Sequence, residues 1–352
     1  MDISVKVERG SLTGVRTPLL VVNLFEGVEE PAGATGAVNE ALGGLIGRLI
    51  ADGEVKGSLG EITMLHNQGD RRQLAAERVA VVGLGKRDDF DLEALRIASA
   101  VAARKARDLR CGRYATVVHG AGAGGLDSGL AARTVVEASL MSLYTYYHYK
   151  TPPDDPRPII SEITIVERDE DRADAAESAV KEAAAIVDGV NLARDLSQAP
   201  GNVMTPTVLA DRAKEMADAR GIAIQVWGKQ ELREKGMNAI LAVNSGSAQE
   251  PRFVMMKYDS GVEGAKTLAV VGKGITFDSG GISIKPGDHM ENMKHDMSGA
   301  AATIGFLQAA ADLKLPVNVI GIFAATENLP SGSSYKPGDV FKTYQGTFIE
   351  IV

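Results

Sequence analysis

Hydrophobic positions in the first half of the chain follow two different spacings. Apolar residues run together at 19–24 and 78–82, as in buried strands, whereas leucine and isoleucine recur every three to four positions at 38–50, as on one face of a helix. The same patterns predict further strands at 1–10, 115–119 and 163–166, and helices at 92–109 and 130–147. This exchange of strand and helix is typical of an α/β domain.

A proline cluster at 151–158 interrupts the pattern, because proline lacks a backbone donor and restricts the residue before it. A long, charged, alanine-rich helix is predicted next, at 169–196. Beyond it the alternation resumes, with helices predicted at 208–219 and 298–313 and strands at 222–226, 239–243, 252–258, 267–271 and 317–324. We therefore predict an α/β domain at 1–168, a connecting helix at 169–197 and a second α/β domain at 198–352.

Composition narrows the class of protein. With 352 residues, of which 45% are hydrophobic and 24% charged, the chain can bury two apolar cores. A formal charge of -8 without a Lys/Arg block argues against nucleic acid or an anionic membrane as the main partner. Cys111 is the only cysteine, so no intrachain disulfide can form. No apolar stretch reaches membrane-spanning length and the N-terminus has no leader pattern, which predicts a cytoplasmic protein.

Common sequence signatures do not explain the chain. The segment Gly120–Gly125 matches a dinucleotide fingerprint after a predicted strand, but Glu137, the nearest acidic residue at the expected distance, falls inside a predicted helix. A flexible glycine turn is the favoured interpretation. The sequence contains no P-loop and no Gly-x-Ser-x-Gly elbow, and no two of its five histidines have the i, i+4 spacing of a zinc-protease helix.

Charge is concentrated in one glycine-rich stretch after the strand predicted at 267–271. Lys273, Asp278, Lys285 and Asp296 fall at the end of that strand, in the following loop and at the start of an alanine-rich helix. Strand carboxyl ends are where open α/β sheets bind ligands. The residues alone leave a second interpretation open, in which Lys273 neutralises Asp278 and Asp296 caps the helix. Spacing by itself favours this second interpretation.

The exact residues of this stretch carry a family resemblance. Lys-Gly-Ile-Thr-Phe-Asp-Ser-Gly-Gly-Ile-Ser-Ile-Lys-Pro at 273–286, with Met-Lys-His-Asp-Met-Ser-Gly-Ala at 293–300, resembles the metal-binding core of the cytosolic leucyl aminopeptidase family. Shorter segments are similar to other parts of that family's catalytic domain: Asn-Leu-Ala-Arg-Asp-Leu at 191–196, Pro-Gly-Asn-Val-Met-Thr-Pro at 200–206, Glu-Asn-Leu-Pro at 327–330 and Tyr-Lys-Pro-Gly-Asp-Val at 335–340. The resemblance is specific from 191 to 352 and general before that.

The resemblance implies a fold and an activity. The fold would be a smaller, macrodomain-like N-terminal α/β domain followed by a catalytic α/β domain with a central mixed sheet. The activity would be that of a two-metal aminopeptidase, which releases leucine and other apolar residues from peptides with a free N-terminus. The implied cofactors are two divalent ions, Mn²⁺ or Zn²⁺ with Mg²⁺ as an alternative, together with bicarbonate. The implied assembly is a homohexamer.

Individual roles are implied by the same resemblance. Lys273, Asp278 and Asp296 match metal ligands, Lys285 matches the lysine that polarises the scissile carbonyl, and Met293 matches a wall of the side-chain pocket. A ligating Lys273 would be neutral and buried beside the metal, whereas Lys285 would stay protonated to act as an electrophile.

The resemblance also implies a further motif after the strand at 348–352. In the family this strand leads into Asn-Thr-Asp-Ala-Glu-Gly-Arg, which supplies two further carboxylate ligands and the arginine that anchors bicarbonate. The chain is therefore expected to be truncated before this motif, inactive as it stands and poorly folded in its second half, with an apolar sheet edge exposed.

Two other classes of function stay open at this point. Some relatives are associated with DNA, and macrodomains bind ADP-ribose. The charge of -8 argues against DNA, and the Gly120–Gly125 loop is the one feature that favours a nucleotide. The chain could also serve as a structural subunit of an oligomer.

Overall fold

The computed structural model describes residues 3–120, 124–151 and 160–352. It divides into two compact units, Met1–Val187 and Asp188–Val352, and both combine strands with helices, as the alternating pattern predicts. The proline cluster predicted as a break, at 151–158, lies outside the described residues from 152 onward. The predicted domain bounds of 1–168 and 198–352 stay a prediction.

Strands and helices of the first unit follow the predicted order. Its strands are β1 (Ser4–Arg9), β2 (Leu20–Leu24), β3 (Ile62–His66), β4 (Arg78–Gly83), β5 (Arg113–Thr116) and β6 (Glu162–Glu167). Its helices are α1 (Gly33–Ala41), α2 (Leu45–Ala51), α3 (Leu92–Asp108), α4 (Ser128–Ser142) and α5 (Glu170–Gln198), the last of which continues into the second unit. The single helix predicted at 38–50 is wrong, because Gly43 and Gly44 both adopt positive φ and end α1.

The strand order of this sheet is β1-β6-β5-β2-β4-β3, with β3 antiparallel to β4 and the other pairs parallel. Both faces of the sheet are buried. On β2, Val21 belongs to the core that includes Leu95 of α3, whereas Leu20 belongs to the core that includes Ile46 of α2. Burial on two faces explains why three apolar residues follow one another at 20–22 of β2 instead of alternating with polar ones.

His119, just beyond β5, is fully buried and has two side-chain partners. Its Nδ1 lies 3.0 Å from Asn23 Nδ2 and its Nε2 lies 3.2 Å from Thr116 Oγ1. Burial lowers the pKa of His119 to about 4, so the ring is neutral at pH 7. His119 is therefore a structural residue of the first unit.

Acidification should destabilise the first unit through His119. A histidine with a lowered pKa in the folded state binds its proton more weakly than it does in the unfolded chain, so stability is lost as pH falls below the unfolded value of 6.5. We expect about 2 kcal/mol of this loss between roughly pH 7 and pH 5. Urea denaturation across that range should show a steeper pH dependence for the wild type than for His119→Gln. Equal slopes would contradict the assignment, and His66→Gln, at an exposed histidine, is the matched control.

The glycine motif next to His119 is only partly described. Residues 121–123 of Gly120–Gly125 lie outside the described residues. Gly120 and Gly124 lie so close to the ring of Phe90 that a Cβ at either position would overlap it. These two glycines therefore have a packing role against Phe90.

The second unit is built on a smaller mixed sheet. Its strands are β7 (Ala223–Trp227), β8 (Arg252–Tyr258), β9 (Thr267–Asp278), β10 (Asn318–Asn328), β11 (Val340–Lys342) and β12 (Phe348–Glu350). Its helices are α6 (Pro206–Arg220), α7 (Lys229–Glu234), α8 (Asn238–Asn244) and α9 (Ser298–Asp312). The strand predicted at 239–243 is wrong and forms α8, because an apolar run of this length does not distinguish a strand from a short helix.

The main sheet of this unit has the order β7-β8-β10-β9. β8 runs antiparallel to β7 and β10, and β10 runs parallel to β9. Leu209 of α6, Ile304 of α9 and Phe323 of β10 are fully buried in one core. Within the described residues β9 pairs with β10 alone, and along this edge Leu268 and Val271 are exposed, as expected for an apolar sheet edge.

The β9–β10 ladder contains one irregularity close to its carboxyl end. The partner of Thr326 is Ile275, but the partner of Glu327 is Phe277, so Thr276 is an extra residue in β9. Beyond this bulge Asn328 lies opposite Asp278. A bulge bends its strand and changes the direction of the side chains that follow it.

Helices α5 and α9 approach each other backbone to backbone inside the second unit. A Cβ at Gly305 would overlap the carbonyl oxygen of Gly189, and a Cβ at Gly189 would overlap the carbonyl oxygen of Gly305. This contact fixes α9, whose first turn comes directly after the charged stretch of the sequence.

No helix among the residues that the structure describes is long and apolar enough to span a membrane.

Candidate functional site

Glycines bring the end of β9 close to its neighbours. A Cβ at Gly274 would lie 2.6 Å from the carbonyl oxygen of Ala324 in β10, and a Cβ at Gly299 would lie 2.7 Å from the backbone nitrogen of Lys273. Contacts below 3.0 Å are too short for a side-chain carbon, so these positions require glycine. The first turn of α9 therefore lies directly against the strand that carries Lys273.

The four charged residues of this stretch form two lysine–aspartate pairs. Lys273 Nζ lies 2.8 Å from Asp296 Oδ2, and Lys285 Nζ lies 2.7 Å from Asp278 Oδ2. The pairing of Lys273 with Asp278 considered from the sequence is therefore wrong. Each aspartate instead forms an ion pair with the lysine that is farther from it in the sequence, because the loop after β9 folds back over the strand end.

Asp278 is the most completely bonded group of the site and is 9% exposed. Its Oδ1 accepts hydrogen bonds from the Gly280 N–H at 3.0 Å and from Asn328 Nδ2 at 2.8 Å, while its Oδ2 accepts one from Lys285. Burial raises the pKa of Asp278, but the hydrogen bonds and the charge of Lys285 outweigh burial and lower this pKa overall. Asp278 is therefore a carboxylate at neutral pH.

Lys285 is placed by a tight turn after β9. Gly280 and Gly281 adopt positive φ, and the Lys285 N–H donates to the carbonyl oxygen of Ser279 at 2.9 Å. Its ammonium group contacts Asp278 and also lies 3.1 Å from Met293 Sδ. The structure thus brings together the predicted electrophile Lys285 and the predicted pocket residue Met293.

Asp296 lies in a 3-10 helix, Met290–Met297, just before α9. The alternative role of Asp296 as a helix cap is wrong, because Met297 is the N-cap of α9 and no side chain caps it. Asp296 Oδ2 is buried without a hydrogen bond, although Lys273 Nζ is near. The Lys273 side chain is 60% exposed, so this lysine is not buried as the family resemblance implies.

The donor set fits a divalent cation in its chemistry. Carboxylate oxygens from Asp278 and Asp296 suit hard divalent ions, and the buried Asp296 Oδ2 has an acceptor site that no hydrogen bond uses. Within the described residues no three His, Cys, Asp or Glu side chains form a metal-binding group. Lys273, Asp278 and Asp296 would therefore provide only part of a coordination shell, and further oxygen ligands would complete it.

The sequence patterns indicate no role for Asn328 or Tyr335, although both lie in segments that resemble the family's catalytic domain. Asn328 donates to Asp278, and the Tyr335 hydroxyl lies 3.3 Å from Asn328 Oδ1. Beside them, the Ser247 hydroxyl donates to the buried carboxylate of Glu327. The pairing of Asn328 with Asp278 depends on the register of β10 against β9, for which the sequence has no local signal.

Comparison with known proteins gives the same family at both ends of the chain. The N-terminal domain of the cytosol aminopeptidase family matches residues 21–153, and its catalytic domain matches residues 191–352. A probable cytosol aminopeptidase of Roseiflexus castenholzii is 40% identical over 350 residues, which are 99% of this chain and 68% of the relative. One from Geobacter sulfurreducens is 39% identical over 351 residues, which are 99% of this chain and 69% of the relative.

Solved structures agree with these relatives. The bottromycin maturation enzyme BotP in complex with Mn matches with a TM-score of 0.78 and 29% identity, over 95% of this chain and 65% of that one. A mutant of tomato leucine aminopeptidase matches with a TM-score of 0.84 and 25% identity, over 99% of this chain and 67% of that one. The chain thus spans about two thirds of the length of the proteins that it matches. It belongs to the cytosol aminopeptidase family, a family of peptidases.

Proposed function

We propose that the protein releases N-terminal amino acids, leucine and other apolar residues above all, from peptides by metal-assisted hydrolysis. The observation that carries this proposal is the convergence of Asp278, Lys285 and Met293 in the segment that matches the family's catalytic domain. A buried carboxylate, a cationic hydrogen-bond donor and an apolar side chain within contact distance are the groups that such a reaction needs.

Lys273, Asp278 and Asp296 would hold the cations. The Mn complex of BotP supports a divalent metal in this role. When bound, two divalent ions would supply Lewis acidity, lower the pKa of a nucleophilic water and bind the free amino group of the substrate. Capture of the amino group would restrict the reaction to the first residue of a peptide.

The remaining steps depend on side chains of the chain itself. The Lys285 ammonium would donate a hydrogen bond to the carbonyl oxygen of the scissile bond, where negative charge grows in the transition state. Asp278 holds that ammonium in place through Oδ2. Met293, whose thioether lies against Lys285, would contact an apolar substrate side chain and adapt to its shape.

Metal removal tests the proposal. We expect the polypeptide of the whole reading frame to hydrolyse leucyl p-nitroanilide, to lose this activity after dialysis against a chelator and to regain it with Mn²⁺ or Zn²⁺. The same anilide with an acetylated amino group should not be cleaved. Asp278→Asn should abolish reactivation, whereas Asp211→Asn, at an exposed aspartate of α6, should leave it unchanged. Hydrolysis that survives the chelator and accepts the acetylated substrate would contradict the proposal.

Three finer features are part of the same proposal. We place the protein in the cytoplasm, which the name cytosol aminopeptidase of its relatives supports. Among the candidate metals, the Mn complex of BotP supports Mn²⁺ over Zn²⁺ and Mg²⁺. Assembly as a homohexamer is implied by the family resemblance.

A further inference from the structure

Asn328 is joined to the Asp278 turn by three hydrogen bonds. As the last residue of β10 it lies opposite Asp278 in the ladder. Its carbonyl oxygen accepts hydrogen bonds from the Ser279 N–H at 3.0 Å and from the Ser279 hydroxyl at 2.8 Å, and its Nδ2 donates to Asp278 Oδ1 at 2.8 Å. The backbone and the side chain of Asn328 thus both bond to the turn that carries the aspartate.

The orientation of the Asn328 amide is determined from two sides. A carboxylate can only accept, so the amide NH₂ must face Asp278 and the amide oxygen must face away from it. That oxygen lies 3.3 Å from the Tyr335 hydroxyl, which therefore acts as the donor. Since 3.3 Å is long for an O–H···O hydrogen bond, we expect Tyr335 to contribute less than the Asn328–Asp278 bond.

Packing reinforces this orientation. Gly281 has a φ of +73°, and a Cβ at this position would lie 2.8 Å from Asn328 Oδ1. The glycine turn therefore fills the space beside the amide. Tyr335 is itself fixed, because its N–H donates to Ser245 Oγ at 3.0 Å.

The two oxygens of Asp278 are consequently not equivalent. Oδ1 already accepts from Gly280 and Asn328, whereas Oδ2 accepts from Lys285 alone among the described residues. We infer that Asn328, oriented by Tyr335, is a positioning residue that occupies Oδ1 and thereby directs Oδ2 toward the cation and Lys285. This inference rests on the proposed metal-dependent function and adds to it a residue that touches neither metal nor substrate.

Metal affinity tests the inference without measuring catalysis. Calorimetric titration of the full chain with Mn²⁺ should give a Kd that is about 10-fold to 100-fold weaker for Asn328→Ala than for the wild type, the effect typical of residues that orient metal ligands. Tyr335→Phe should weaken binding by about threefold. In the double variant the two effects should not add, because both act through the same amide.

A matched asparagine on the same strand provides the control. Asn318 begins β10 and accepts hydrogen bonds only from Ser260 among the contacts described. Asn318→Ala should lower the unfolding temperature without changing the Mn²⁺ affinity. If the wild type binds Mn²⁺ and Asn328→Ala binds it with the same affinity, the inference is overturned and the proposed function is not affected. Absence of Mn²⁺ binding by the wild type would overturn the proposed function and the inference together.

Discussion

Replacing Lys285 by methionine should lower kcat for leucyl p-nitroanilide by about 10²-fold to 10³-fold, the usual effect of removing one donor to a developing oxyanion. Methionine keeps the length and the apolar stem of the lysine side chain but has no ammonium group. Besides the hydrogen bond to the substrate oxygen, the substitution removes the ion pair of Lys285 with Asp278 and the contact of its ammonium group with the Met293 thioether.

The kinetic signature distinguishes this role from a structural one. Loss of an interaction made only in the transition state lowers kcat and kcat/KM together and leaves KM nearly unchanged. Lys285→Arg should recover part of the activity, since a guanidinium can also donate. Lys214→Met, in an exposed pair with Asp218 on α6, is the matched control and should behave like the wild type. A Lys285→Met enzyme with kcat within tenfold of the wild type would show that the lysine is not the electrophile.

Introducing valine at Gly305 should destabilise the second unit by at least about 3 kcal/mol, because the new side chain meets backbone rather than a movable side chain. The added Cβ would overlap the Gly189 carbonyl oxygen and lie 3.0 Å from its carbon. Helices α5 and α9 would have to separate, and buried contacts such as those of Ile304 would be lost. Thermal unfolding should occur roughly 6–10 °C lower.

A glycine with free space around it is the control for this substitution. A Cβ at Gly332 would have no atom within 4 Å, so Gly332→Val should change the free energy of unfolding by less than about 0.5 kcal/mol. Denaturant titrations of both variants, followed by circular dichroism, measure the difference. Equal stability of Gly305→Val and Gly332→Val would mean that the two helices can move apart at little cost.

Local patterns were sufficient to predict most elements of this fold. The amphipathic run of α3 and the apolar run of β4 each carry their own signal, so both were predicted to within about one residue. The two wrong elements lacked such a signal. At 239–243 the apolar run is too short to show a period, and at 38–50 the helical spacing continues across Gly43 and Gly44, where backbone conformation decides the break.

The candidate site was predicted only in part, for a related reason. Because Lys285 and Met293 match positions of a family motif, both were expected near Asp278. In the structure, Lys285 contacts Asp278 as well as Met293. Which lysine bonds to which aspartate depends on how the loop after β9 folds back. The contribution of Asn328 depends on strand pairing between segments fifty residues apart. Such long-range geometry leaves no periodic trace in the sequence.

The extra residue in β9 has a consequence for how Lys273 and Asp278 can act together. These residues are separated by an odd number of positions, and in an uninterrupted strand odd separations point to opposite sides of a sheet. Because Thr276 is skipped in the pairing of β9 with β10, the parity is reversed before Asp278 is reached, and the ladder then sets Asp278 opposite Asn328. A strand of the same length that paired with β10 without this bulge would turn Lys273 and Asp278 to opposite sides of the sheet. The irregular pairing of this segment is therefore as much a part of the site as the identity of its charged residues.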